Sequence, residues 1–142
     1  MLREYFAEMV SRYQGRPASP SEVDEVLAAE PSDALALPSG AFVVARAGDT
    51  VLGCAGLLLM GERIGEVKRV FVTPAARRTG LGTRLMLELE AVARRLDVRT
   101  LRLDTRRDLV EACSLYVALG YQEVPAFNAG PYAEHWFAKP LT

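Results

Sequence analysis

The chain has 142 residues, with 17 Lys and Arg against 18 Asp and Glu and a net charge of -1. That balance argues against a protein held to nucleic acid by a broad basic surface. With 50% hydrophobic, 25% charged and 8% aromatic residues, it reads as one ordinary globular domain that buries roughly 68–70% of its unfolded surface. The single histidine, His135, removes most histidine-based zinc sites, and no metal is expected. Cys54 and Cys113 lie far apart in apolar surroundings and read as buried thiols of a reducing cytoplasm. No run approaches 18 apolar residues, and Arg3, Glu4 and Glu8 interrupt the start, so neither a membrane span nor a signal peptide is expected.

Leu2, Tyr5, Phe6, Met9, Val10 and Tyr13 recur at helical spacing, so the chain opens with an amphipathic helix that Gly15-Arg16-Pro17 ends. Ser19-Pro20-Ser21-Glu22 offers a capping serine, a proline at the first helical position and a glutamate three residues on, starting a second helix through Ala29. Pro31 to Gly40 reads as loop. Ala41–Arg46 and Val51–Met60 form a hairpin about Ala47-Gly48-Asp49-Thr50. Glu66–Val72 is the third strand of the meander, and plain alternation puts Glu66 on one side with Lys68, Val70 and Val72. A long helix follows at Leu81–Leu96, with Glu88, Glu90, Arg94 and Arg95 off its apolar stripe. Thr100–Thr105 is a strand and Glu111–Leu119 a helix stopped by Gly120. Short strands at Tyr121–Val124 and His135–Lys139 close the order ααβββαβαββ, an α/β (α+β) sandwich with antiparallel early strands.

The chemically informative stretch is Arg77-Arg78-Thr79-Gly80-Leu81-Gly82-Thr83, where a strand runs through a glycine loop into a helix. Glycines let the backbone approach closely, amides point outward and the helix N-terminus adds partial positive charge, so the loop is an anion site. Arg77 and Arg78 add charge-assisted donors for phosphates. The three glycines of a dinucleotide-binding turn are absent, as is the Gly-Lys-Ser/Thr of a Walker loop. No nucleophile elbow supports a Ser-His-Asp triad.

This stretch resembles the pyrophosphate-binding motif of the GNAT superfamily, the acyl-CoA-dependent N-acyltransferases. In that motif Arg or Gln is followed by two residues, Gly, one residue, and Gly or Ala. It stands directly after the strand Val70-Phe71-Val72-Thr73-Pro74, as is usual in the family. Ala112-Cys113-Ser114-Leu115-Tyr116-Val117-Ala118-Leu119-Gly120-Tyr121 resembles a second family block, and the likeness spans about residues 40 to 140. The resemblance implies a mixed sheet of about six strands with an antiparallel N-terminal meander and helices on both faces. The family's first edge strand is missing, which leaves Ala41–Arg46 as an edge open to a homodimer.

It further implies a small bacterial N-acetyltransferase of the cytoplasm, in which an amine attacks the thioester of acetyl-CoA directly. Backbone groups of Val70, Phe71 and Val72 would hold the pantetheine and polarise the thioester carbonyl. Arg77, Arg78, Thr79, Gly80, Leu81, Gly82 and Thr83 would hold the pyrophosphate. Tyr116 matches the tyrosine that protonates the leaving thiolate, and Asp104 or Glu66 is the candidate general base. Asn128, Tyr132 and Glu134, before the last strand, are candidate acceptor contacts. Glu62, Glu66, Asp104 and Glu134 could together form a cation-attracting mouth. Leu109 stands where some relatives, ribosomal-protein acetyltransferases among them, carry a cofactor-contacting asparagine, so that subgroup fits less well. The expected partner is a small-molecule amine, with neither nucleic acid nor membrane involved; the alternative is a catalytically idle acyl-CoA sensor or companion subunit.

Overall fold

The computed structural model describes residues 3–5, 7, 11, 16–29, 32, 34–106, 109–130 and 133–142, with the backbone alone at 26–29. Arg3, Glu4, Tyr5, Ala7 and Ser11 are helical, as the opening periodicity predicts, whereas Leu2, Phe6, Met9, Val10 and Tyr13 lie outside the described residues. The elements that follow are α1 (Pro20–Ala29), β1 (Gly40–Ala47), β2 (Thr50–Gly61), β3 (Ile64–Val72), a 3-10 turn (Pro74–Ala76), α2 (Leu81–Arg95), β4 (Thr100–Thr105), α3 (Val110–Ala118), β5 (Gln122–Glu123) and β6 (His135–Pro140). Their order is the expected one.

The capping box of α1 forms in full: the Glu22 amide donates to Ser19 Oγ at 3.2 Å, and the Ser19 amide to Glu22 Oε1 at 2.9 Å. Ala47 pairs with Thr50 across a two-residue turn, so the predicted hairpin closes on Gly48-Asp49. The sheet runs β1-β2-β3-β4-β6-β5, all antiparallel except β3 with β4. Among the described residues β1 is an edge strand. A parallel neighbour needs a crossover, and α2 supplies it. α2 and α3 share one face of the sheet, burying Leu85, Met86, Leu89, Ala93 and Tyr116 against Leu57, Val67, Leu101, Leu103 and Phe137. Tyr5 packs on the other face, edge-on to Phe71 with ring centroids 6.4 Å apart.

Three expectations are corrected. Glu90 is not off the stripe of its helix but 1% exposed. It accepts from Lys139 Nζ at 3.0 and 3.1 Å and from the Tyr121 hydroxyl at 3.2 Å, which makes burial of its charge tolerable. Cys113 is only half-buried, although Cys54 is fully enclosed. The alternation of β3 also breaks. Gly56 pairs with Lys68 and Cys54 with Phe71, so Ala55 alone opposes both Arg69 and Val70. Arg69 takes the left-handed φ of 57° that such a bulge demands. Glu66, Lys68 and Phe71 therefore share one face, while Val67, Val70 and Val72 turn to the helix-covered core.

Candidate active site

The parallel pairing of β3 and β4 is brief: Ile64 with Thr100, Gly65 with Leu101 and Glu66 with Arg102. Beyond Glu66, among the described residues, the bulged half of β3 has no ladder to β4. A gap opens there between two strands that would otherwise satisfy each other's backbone groups. At its end the chain turns through Pro74–Ala76 into α2.

Gly80 caps α2 in the left-handed conformation at φ 82°, with no side-chain cap and no acidic residue in the first turn. The first amides of the helix thus have no partner within it and face outward with the positive end of its dipole. A Cβ at Gly82 would stand 3.2 Å from Leu115 Cδ2, so glycine there lets the loop lie close against α3. The two arginines divide. Arg77 Nε donates to the Val72 carbonyl at 3.0 Å, its guanidinium 5.8 Å from the Phe71 ring centre, bracing the loop against β3. Arg78 is exposed, with φ 64°, and makes no ion pair or hydrogen bond among the described residues. The Thr79 hydroxyl bonds the Ala76 carbonyl and fixes the turn. Loop and helix end thus gather outward backbone donors beside a stretch of β3 that has no ladder to β4 among the described residues.

The candidate acid and bases separate clearly. Tyr116 projects from α3 into the core, 5.9 Å from the ring of Tyr121 and 6.2 Å from that of Phe137. Burial first, then the nearby Tyr5, Cys113 and Asp104, pushes its phenol well above the ordinary tyrosine value. Tyr5 and Asp104 belong to the other face of the sheet. Asp104 alternates with the buried Leu101 and Leu103 and lies opposite Trp136 in the β4–β6 ladder. Its Oδ2 accepts from Asn128 Nδ2 at 2.8 Å, and among the described residues no Lys or Arg pairs with it. Glu66 is committed elsewhere. It is 4% exposed, with Lys68 Nζ 2.7 Å from Oε1 and Arg102 Nε 3.1 Å from Oε2. Arg102 in turn stacks 4.4 Å over the Phe127 ring.

The remaining candidates scatter. Glu134 is exposed, and its amide holds the Thr105 carbonyl at 2.9 Å; Tyr132 lies outside the described residues. Glu62 occupies the β2–β3 turn, at the opposite end of β4 from Asp104, so the four-carboxylate mouth does not assemble. Leu109 caps α3 without a side-chain bond. Sequence reading passed over Tyr5 and Trp136. Period-2 alternation on β6, with Phe137 in the core, would have placed Trp136 beside Asp104. Nothing local would have placed Tyr5 over Phe71. Among the described residues no three His, Cys, Asp or Glu side chains cluster to hold a metal ion, and no helix is long and apolar enough to cross a membrane.

Residues 3–121 match the acetyltransferase (GNAT) family. The chain belongs to this family. It is 36% identical over 126 residues to the IAA acetyltransferase of Azospirillum brasilense, spanning 88% of this chain and 78% of that one. With the N-alpha-acetyltransferase RimI of Mycobacterium tuberculosis it shares 37% over 93 residues, 63% of this chain and 57% of that one. Its fold matches that of the PaiA N-acetyltransferase of Thermoplasma acidophilum in complex with coenzyme A, with a TM-score of 0.74, 20% identity and coverage of 98% and 90%. The GNAT domain is an acyl-CoA-dependent N-acyltransferase, and acetyl-CoA is its cosubstrate.

Proposed function

We propose that this GNAT enzyme moves the acetyl group of acetyl-CoA to the primary amine of a small molecule, by direct attack in a ternary complex. The support for the reading is Asp104, on β4 beyond its brief ladder with β3 and with no cationic partner among the described residues, near enough to the enclosed Tyr116 phenol to help hold it protonated. Asp104 meets the acceptor ammonium and takes its proton, the step an amine needs before attack. The nitrogen then bonds to the acetyl carbon, the carbon–sulfur bond breaks, the Tyr116 hydroxyl donates its proton to the departing thiolate, and the second proton shed by the amide nitrogen returns to the Tyr116 oxygen. A backbone N–H of the bulged segment 70–72 on the side away from β2 polarises the thioester carbonyl, the Val72 carbonyl being already held by Arg77. Amides from 78 to 83, with the Arg78 guanidinium, take the pyrophosphate. Glu66 serves instead as the buried anchor between Lys68 and Arg102.

A small acceptor is favoured because the likeness to the IAA acetyltransferase spans 88% of the chain, against 63% for the N-alpha-acetyltransferase. Leu109, in place of the asparagine expected of ribosomal-protein acetyltransferases, points the same way. The test is thiol release from acetyl-CoA with a panel of small amines and N-terminal peptides, for the native chain and Tyr116→Phe. Turnover with small amines, reduced about 10²-fold by Tyr116→Phe at unchanged acetyl-CoA affinity, is expected. Turnover with peptides alone would overturn the acceptor class. Saturable acetyl-CoA binding without turnover on any amine would favour an idle acyl-CoA-binding module.

A further inference from the structure

The side chain of Asn128 is held from both ends. Trp136 Nε1 donates to its Oδ1 at 3.1 Å and the Gly130 amide donates to the same oxygen at 3.3 Å. The two ends of an asparagine amide are alike in shape, and only its bonding distinguishes them. With two N–H donors on one atom, that atom must be the oxygen. Nδ2 is then forced toward Asp104, to which it donates at 2.8 Å. Trp136 can do this because it faces Asp104 directly across the β4–β6 ladder. The loop carrying Asn128 folds back over that pair.

We infer that Asn128 and Trp136 are positioning residues for the acyl transfer, a relay that binds one oxygen of Asp104 and leaves the other to meet the acceptor amine. This rests on the reading of Asp104 as the base. Asn128, expected from sequence to touch the acceptor, is instead committed to the carboxylate. The relay has a direction. If the indole donor were lost, Oδ1 would keep only the 3.3 Å bond from the Gly130 amide, and the Asn128 side chain would no longer hold the Asp104 carboxylate firmly in place. The carboxylate would then swing away from the attack geometry, and a misplacement on the order of 1 Å is worth as much as about 10²-fold in rate. Other titratable or charged groups near Asp104 among the described residues include the Tyr116 phenol from α3, Tyr5 from the opening helix, and Arg102, two residues back on its own strand face, whose charge Glu66 already holds.

The experiment compares Trp136→Phe, Asn128→Leu, Asn128→Asp and Asp104→Asn for steady-state kinetics against pH, with acetyl-CoA binding by calorimetry as the measure of an intact fold. Trp136→Phe keeps the ring and removes the N–H; about a 10-fold fall in kcat at unchanged acetyl-CoA KM is expected. Asn128→Leu should fall about 10- to 100-fold. Asn128→Asp, nearly isosteric, sets two carboxylates together so that they share a proton, and the acid limb of kcat/KM should move to higher pH by more than one unit. The positioning role is overturned if Trp136→Phe and Asn128→Leu retain kcat within two-fold, or if Asn128→Asp leaves the acid limb in place, while Asp104→Asn is inactive. Full activity in Asp104→Asn removes the base itself, and the relay with it.

Discussion

Glu90 and Asp104 stand on opposite faces of the sheet, each near a core tyrosine, and their partners could hardly differ more. Glu90 is closed: buried itself, with the half-buried Lys139 ammonium on both oxygens and the buried Tyr121 phenol on one. Asp104 is open: one amide on one oxygen, a tyrosine nearby and, among the described residues, no cation. A buried carboxylate with a cation has its field cancelled and ties elements together, here α2 to β6 and to Tyr121. One that carries its charge without a cation keeps an attraction for whatever cation arrives. The first arrangement is structural, and the second suits the role proposed for Asp104 facing an ammonium.

Exchanging the two effects would break this comparison most directly. Asp104→Ala should lower kcat/KM by roughly 10²- to 10⁴-fold while the melting temperature stays within a few degrees. Glu90→Ala leaves the Tyr121 hydroxyl without its partner in the core and half-buried Lys139 without its carboxylate, and should cost about 1–3 kcal/mol in denaturant unfolding, with kcat per folded molecule unchanged. A stable but inactive Glu90→Ala, or an unstable Asp104→Ala, would reverse the assignment of the two faces.

The same contrast explains what the sequence made legible. Element order and most boundaries follow from local signals: the capping box at Ser19 and Glu22, the two-residue turn at Gly48-Asp49, the helix-opening glycines. These act within a few residues, where spacing and propensity are decisive. The glycine-capped start of α2 is legible for that reason. Glu90 was misplaced because its partner Lys139 lies 49 residues away, and no helical periodicity anticipates an ion pair that turns a charged position inward. The β3 faces were misassigned because one bulge at Arg69 shifts every later side chain. The Asn128–Asp104 bond spans 24 residues and an irregular loop, so sequence indicated the neighbourhood but not the role.

Alkaline pH probes both faces at once. Burial pushes the Cys54 thiol from 9.0 up to about 11, and raises Tyr116 and Tyr121 above the ordinary tyrosine value. A folded value above the unfolded one means that the stabilisation is complete below the unfolded value and is lost as pH rises through the folded one. Melting temperature should therefore be flat just below pH 9 and fall above it. Cys54 accounts for about 2–3 kcal/mol between pH 9 and 11, and Cys54→Ala should flatten that portion. The tyrosines extend the fall above pH 10. Activity should show no alkaline loss from Tyr116 below pH 10; a limb near pH 8 that vanishes in Tyr116→Phe would mean the phenol is far less enclosed than its packing against Tyr121 and Phe137 indicates.

The smallest effect sharpens the idea of open capacity at a backbone rather than a side chain. The α2 N-terminus resembles Asp104 in having donors or acceptors that the described residues leave available, and Gly80 sets that geometry at φ 82°. A Cβ there would touch nothing within 4 Å, so Gly80→Ala carries no clash, only the left-handed backbone cost of about 1 kcal/mol. That strain is relieved if the loop relaxes and turns its amides away from the pyrophosphate. The expected result is about a five-fold rise in acetyl-CoA KM with kcat and amine KM unchanged. A fall in kcat instead would tie the loop to the chemical step and blur the division between holding the cosubstrate at α2 and attacking it at Asp104.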